Sequence, residues 1–421
     1  MHIGKRLQII RNSFGLSRGN MAKNIVSYPH YCQYETGKYT PPDDILTAIA
    51  NKLNVPADYL LNYQKLDSNL KQLLASLKTS IDKSELTEAE RIINEIKAKY
   101  PYISSIYQES LFYLLQSSNF YKSGKKNEAF SMLANELLLI EVAKLEELPL
   151  EFQETYYYMQ ALDHYFKKDY EMSYNYYLKQ LPLINNGISK AITNNNIALA
   201  LYKIKKISKA IPFAEEALNL HLREQQWEKA AGTHNLLGML YSEDNNSEAA
   251  MRNYQMALGL VGTFILHHLE DKILNNIGVE YKEAGDLANS IEYFNKSLEK
   301  KIEYGLDTLV TYRSIIEIYL EIDLEKASET ITEARKKINK EIDIYHLKVL
   351  EAKYNIKNNN LELYEQLMEE SIGYFLKNKM WNYVLPSSEE FAKYYKDLKK
   401  YKQTSYYYEL VIDAYKNIKG E

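Results

Sequence analysis

Along residues 2–62 apolar side chains recur three or four positions apart in short bursts, which predicts a series of short amphipathic helices. The first burst sets Ile3, Leu7 and Ile10 on one face and ends at Gly15. Ser17 and Ser27 stand at cap positions ahead of the next two, and Gly37 terminates the third. A Pro- and Asp-containing turn then leads into apolar runs at 45–53 and 55–61. Five short helices, the second and third joined by a tight turn, describe a helix-turn-helix unit.

From about residue 100 the pattern changes to longer helical hairpins that repeat. Segments 234–258 and 274–299 superpose with a shift of 40, pairing Gly238 with Gly278, Tyr241 with Tyr281, Ala250 with Ser290, Tyr254 with Phe294 and Ala257 with Ser297. This resembles the tetratricopeptide repeat, in which small residues let the two helices of a repeat approach and large ones fill the gap to the next. The same register places anchors at Ser117, Ala161, Ala198, Gly238, Gly278, Ile315, Ala352 and Phe391. Their spacing exceeds the usual repeat of about 34, so longer helices are expected. The expected fold is all-α: a head at 1–63, a connecting helix pair at 64–100, and a right-handed superhelix over 101–421, with eight to nine helix pairs in all.

With Gly238 at the eighth position of its repeat, the second, fifth, ninth and twelfth positions share one stripe, which in tetratricopeptide repeats lines the concave face. The fifth position is Asn195, Asn235 and Asn275 in three successive repeats. An asparagine amide offers both donor and acceptor to a peptide main chain, so such a ladder can hold an extended peptide without selecting its side chains. Leu199, Tyr202, Met239, Lys272, Val279, Lys282, Tyr312, Ile316 and Lys353 are expected nearby. Apolar pockets beside lysines suit a short peptide carrying a hydrophobic residue and an acidic group.

Composition narrows the rest. The single cysteine, Cys32, excludes an internal disulfide framework and a cysteine zinc site, and fits a reducing cytoplasm. No run approaches the apolar length needed to span a bilayer. Phosphate-loop, zinc-helix and nucleophile-elbow motifs are missing, so neither enzymatic activity nor a cofactor or metal is expected. His267 and His268 sit on adjacent helical positions, poorly placed to chelate one ion, and His234 and the many tyrosines read as packing. The head carries seven Lys/Arg against four acids, whereas the whole chain is −4, so a small basic head sits on an acidic body.

Gly15-Leu16-Ser17, Met21-Ala22, Glu35 to Lys38 and the run 46–61 resemble the Xre/Cro-type helix-turn-helix. The turn Asn24-Ile25-Val26-Ser27 is one residue shorter than the commonest version and resembles that of Rgg- and PlcR-type regulators, with Asn24 where they have Gly. Head and repeats together resemble the Rgg, Rap, NprR, PlcR and PrgX group, with a length similar to NprR-like members. That resemblance implies a cytoplasmic, quorum-sensing transcription regulator that binds double-stranded DNA as a homodimer or higher homo-oligomer and is switched by a signalling oligopeptide. It also implies a Glu35–Arg11 pair inside the head. Base contacts are expected from Tyr28, Pro29, His30 and Gln33 on the third helix, capped by Ser27, and phosphate contacts from Arg18, Lys23 and Lys38. Two alternatives are a Rap-like protein that binds a response regulator and modulates its phosphorylation, and a scaffold that docks a protein partner.

Overall fold

The computed structural model describes residues 2–136, 142–338 and 340–419, which are helical throughout with no strand among them. The chain divides into two compact units, Met1–Lys229 and Ala230–Glu421.

In the first unit the five head helices are α1 (Ile3–Ser13), α2 (Arg18–Ala22), α3 (Tyr28–Glu35), α4 (Asp43–Leu53) and α5 (Ala57–Leu61). Their core joins Ile3, Leu7, Met21, Tyr31, Leu46, Ile49 and Leu60, and it also takes in Ile106 from well outside the head. Helix α1 can lie on the end of α3 because Gly4 has no side chain: a Cβ there would stand 2.2 Å from the Tyr34 carbonyl oxygen. Ser17 caps α2 by accepting from the Asn20 amide at 3.1 Å. The short turn is closed by Asn24 in the left-handed region (φ 67°), a conformation asparagine tolerates better than most residues.

A hairpin of α6 (Ser68–Asp82) and α7 (Leu86–Lys99) comes next. The unit continues as α8 (Ile106–Lys122), α9 (Lys126–Glu136), α10 (Leu150–Phe166), α11 (Tyr170–Gln180), α12 (Gly187–Lys203) and α13 (Ile207–Arg223). The second unit runs as helix pairs from α14 (Trp227–Glu243) and α15 (Ser247–Phe264) through α16 (His267–Glu283) and α17 (Leu287–Glu303) to α18 (Leu309–Ile322) and α19 (Leu324–Lys337). Helices α20 (Glu341–Lys357), α21 (Leu361–Lys377), α22 (Trp381–Asp397) and α23 (Tyr401–Lys419) complete it. Within this unit each second helix packs on the first helix of the next pair.

All eight anchors are buried. At two of them the tolerance is nil: a Cβ on Gly238 would lie 2.4 Å from the Tyr254 ring, and one on Gly278 would lie 2.8 Å from the Phe294 ring. The matched small residues contribute a second link, since Ser290 donates to the Gly278 carbonyl and Ser297 to that of Asp271, both at 2.8 Å. Tyrosines fill the remaining gaps, as in the parallel stack of Tyr345 on Tyr374 at 3.9 Å. Substituting Gly278→Val should therefore overpack the α16–α17 contact and cost about 2 kcal/mol, or more if Phe294 cannot move aside. Urea unfolding followed by circular dichroism measures this, with Gly373→Ala, which meets open space, as the mild control.

Candidate functional site

Two surfaces gather the residues singled out by sequence. The first is α3. Pro29 lies in its first turn, where the missing N–H interrupts no helical bond. Tyr31 and Tyr34 turn into the head core, leaving Tyr28, Pro29 and His30 exposed and Gln33 half-buried on the outer face. Ser27 occupies the cap position with extended backbone, but its hydroxyl lies 2.8 Å from His30 Nδ1 and does not bond a backbone amide. The expected side-chain cap is thus replaced by a contact that orients the imidazole.

Beneath this face Glu35 accepts from three directions. Arg11 reaches it through Nε and, at 3.2 Å, through Nη2, so the expected Arg11–Glu35 pair is present. Arg18 Nε also donates to it at 2.7 Å. Arg18, expected to contact phosphate, thus also braces α2 on α3 through Nε, while its side chain stays partly exposed. Burial pushes the Glu35 carboxyl up, but the hydrogen bonds from Arg11 and Arg18 outweigh it and hold the group below its ordinary value. Lys23 and Lys38 are exposed.

The second surface lies on α14, α16 and α18. Asn235 and Asn275 are half-buried at equivalent positions, and their carbonyl oxygens are occupied. Asn276 Nδ2 donates to Asn235 Oδ1 at 2.9 Å, and Thr311 Oγ1 donates to Asn275 Oδ1 at 3.2 Å. Each amide is thereby fixed in rotation, and the Asn235 NH2 donates to Met239 Sδ at 3.9 Å. Such amides present donors. The acceptor also expected of them is used to link successive repeats. Asn195, Leu199 and Tyr202 are half-buried on α12, in the other compact unit.

Met239 and Val279 are half-buried beside the ladder, and Lys272 is exposed. Tyr312 and Ile316 depart from expectation: at 2% and 0% exposure they belong to the core between α17 and α20. The stripe on α18 is displaced by one residue, and Arg313, Ser314 and Glu317 occupy the open face. Two of the lysines are already paired, Lys282 with Glu317 at 3.1 Å and Lys353 with Glu390 at 3.3 Å. Arg313, 3.9 Å from Glu317, is the cation that sequence register passed over.

Sequence reasoning also missed a polar cluster in the first unit, where α6, α8, α10 and α12 converge. Lys78 lies 3.0 Å from Asp82 and 3.4 Å from Glu154, while Lys122 donates to the Ile81 carbonyl. Burial pushes Lys122 down to about 8, against the pull of Asp82. The enclosed free space is about 30 Å³, on the scale of one or two waters and too small for a peptide side chain. His234 is buried against Asn253 at 2.9 Å, as packing. The His267 side chain lies outside the described residues.

Fold and surfaces together define a helix-turn-helix head carried on tetratricopeptide-like helix pairs. Residues 7–60 match the helix-turn-helix family. The chain is 25% identical over 415 residues to the transcriptional activator NprA of Geobacillus stearothermophilus, covering 94% of this chain and 99% of that protein. Its fold is that of the apo quorum sensor NprR from B. thuringiensis (TM-score 0.66, 18% identity, 82% of this chain and 98% of that one). NprR in complex with its cognate peptide NprX gives 0.57 (18% identity, 83% and 99%), and apo RapI gives 0.63 (17%, 84% and 99%). The chain is thus similar in sequence to NprA over nearly its whole length, and in fold to NprR and RapI.

The Glu35 carboxyl sets a pH limit on the head. Because its native value is depressed, the stability it supplies is complete above the ordinary carboxylate value of 4.5 and is lost as pH falls through the native value. Thermal melting followed at the head should show a declining midpoint only on acidification below that range. Glu35→Gln at neutral pH should lower head stability by about 3 kcal/mol, since it strands Arg11, and it should flatten the acid dependence.

Proposed function

We propose that this protein is a cytoplasmic transcription regulator that binds double-stranded DNA through α3 and is switched by a short signalling oligopeptide held on the concave face of its repeats. The reading rests most on the ladder amides. An amide whose oxygen is tied to the next repeat has its NH2 held in one orientation, a pre-oriented donor for a peptide carbonyl, and pre-orientation reduces the entropy lost on binding. Among the relatives, NprA is named a transcriptional activator, and NprR takes a peptide, NprX.

The peptide site comprises Asn235, Asn275, Met239, Lys272 and Val279, with the exposed Lys272 as the partner for an acidic group and Arg313, which shares Glu317 with Lys282, beside it. Within the first unit, Asn195, Leu199 and Tyr202 occupy the corresponding face of α12. On DNA, Gln33 and His30 read base edges, Tyr28 and Pro29 contact the groove wall, and Lys23, Lys38 and the outer end of Arg18 grip phosphates. With no Arg or Lys on α3 itself, affinity per head is modest. A homodimer presenting two copies of α3 to half-sites about 34 Å apart supplies the rest. The fold alone is shared with RapI and does not choose between DNA and a response regulator; the helix-turn-helix match at 7–60 favours DNA.

Gel-shift selection from sheared genomic fragments, with and without oligopeptides encoded beside the gene, tests the reading. A specific fragment whose retention changes with peptide is expected; absence of specific binding under both conditions contradicts it. Asn275→Ala should weaken calorimetric peptide binding about tenfold or more, the equivalent of one or two lost hydrogen bonds, with helicity unchanged. An unaltered affinity would show the ladder to be purely structural.

A further inference from the structure

We infer that Arg6 is a positioning residue that couples the head to the repeats, and that α8 is the element through which the two communicate. Arg6 stands on α1 but is only 1% exposed, because the chain around 103–109 covers it. Its guanidinium donates to the Tyr59 carbonyl at 2.8 Å on the head side. On the repeat side it donates to the carbonyls of Ser104 and Ile103, the latter at 3.2 Å, and to Glu109 Oε2 at 2.6 Å. Tyr59 closes the circuit by donating to Glu109 Oε1 at 2.7 Å, and its ring lies under the guanidinium at 4.3 Å. Both oxygens of Glu109, at the start of α8, are therefore committed to the head.

The surrounding contacts repeat the theme. Ile106 is buried in the head core, and its amide donates to the Tyr63 carbonyl at 2.9 Å. Gln108 clasps Asp67 by accepting from its amide and donating to its carbonyl, both at 2.8 Å. At the other end of α8, Lys122 enters the polar cluster formed with α6 and α10. One straight helix of 17 residues, about 25 Å long, thus touches the head at its first turn and the early repeats at its last.

A buried ion pair is a weak source of net stability, since desolvation offsets its attraction, but it fixes register because every donor has one place to go. The four acceptors around the two Nη atoms of Arg6 come from α5, the 103–104 segment and α8, so head and repeats share one guanidinium, whose Nε has no hydrogen-bond partner among the described residues. A shift of α8 would carry the head with it. The regulatory half of this inference rests on the function proposed above; the mechanical half does not.

Two variants of the full chain test it: Glu109→Gln, which keeps the shape and removes the charge, and Arg6→Met with Glu109→Met, which removes both ions and strands neither. Hydrogen exchange is read separately over α1–α5, α9–α13 and α14–α23. The expected result is exchange about tenfold or more faster in α1–α5, with the later helices unchanged and the head melting apart from the array. Exchange in α1–α5 equal to wild type in both variants would overturn the coupling. Loss of protection spread equally over α9–α13 would also overturn it, by showing a general folding role. In a parallel gel shift, the double variant should bind fragments with altered half-site spacing that wild type rejects. If wild type binds no DNA the proposed function fails, while the exchange result still decides the joint.

Discussion

Two helices can pack at the distance these repeats require only where one of them presents almost no side chain. Gly238 under the Tyr254 ring and Gly278 under the Phe294 ring meet that condition, and buried alanine or serine meets it at Ser117, Ala161, Ala198 and Ala352. Once the pairs are closed, the first helices of neighbouring repeats in the second unit come near enough for Asn276 to reach Asn235 and for Thr311 to reach Asn275. The orientation of the amide donors in the candidate groove is thus inherited from close packing.

The head obeys a different constraint. It has its own apolar core, to which two buried charge networks are added. Glu35 gathers Arg11 and Arg18 under α3, while Arg6 turns outward from α1 to meet Glu109. The first network fixes the recognition surface within the head, and the second fixes the head on the start of α8. Having committed these arginines internally, the head keeps few cations for phosphate. That economy fits a protein whose DNA affinity is meant to be adjustable, because a weakly bound head is released by a small change in geometry.

Much of this was legible in the sequence. Apolar spacing marked the five head helices, Asn24 the tight turn, and the shift of 40 residues the register of the central repeats. What escaped has identifiable causes. The stripe on α18 slipped by one because that helix is shorter, 14 residues against 17 in α16, and Ile315 gave no small-residue signal to fix its phase. Lys282 and Lys353 were read as a basic wall because their glutamate partners, 35 and 37 residues downstream, lie on other helices and leave no local pattern. Ser27 looked like a side-chain cap because position shows only that a cap is allowed, and His30 proved the better partner. The Arg6 joint was hidden for the same reason as the lysine pairs, with Glu109 about a hundred residues away and beyond the expected end of the head.

In the proposed function the peptide surface and the DNA surface belong to one switch, and linkage tests this without assumption about sign. If peptide changes DNA affinity by some factor, DNA must change peptide affinity by the same factor. Titrating the peptide calorimetrically into the protein alone, and into the protein saturated with its selected DNA fragment, measures that factor directly. The account predicts peptide affinities that differ by about fivefold or more, matching the change seen when DNA is the titrant. Identical peptide affinities in the two titrations would show that the groove and the head do not communicate.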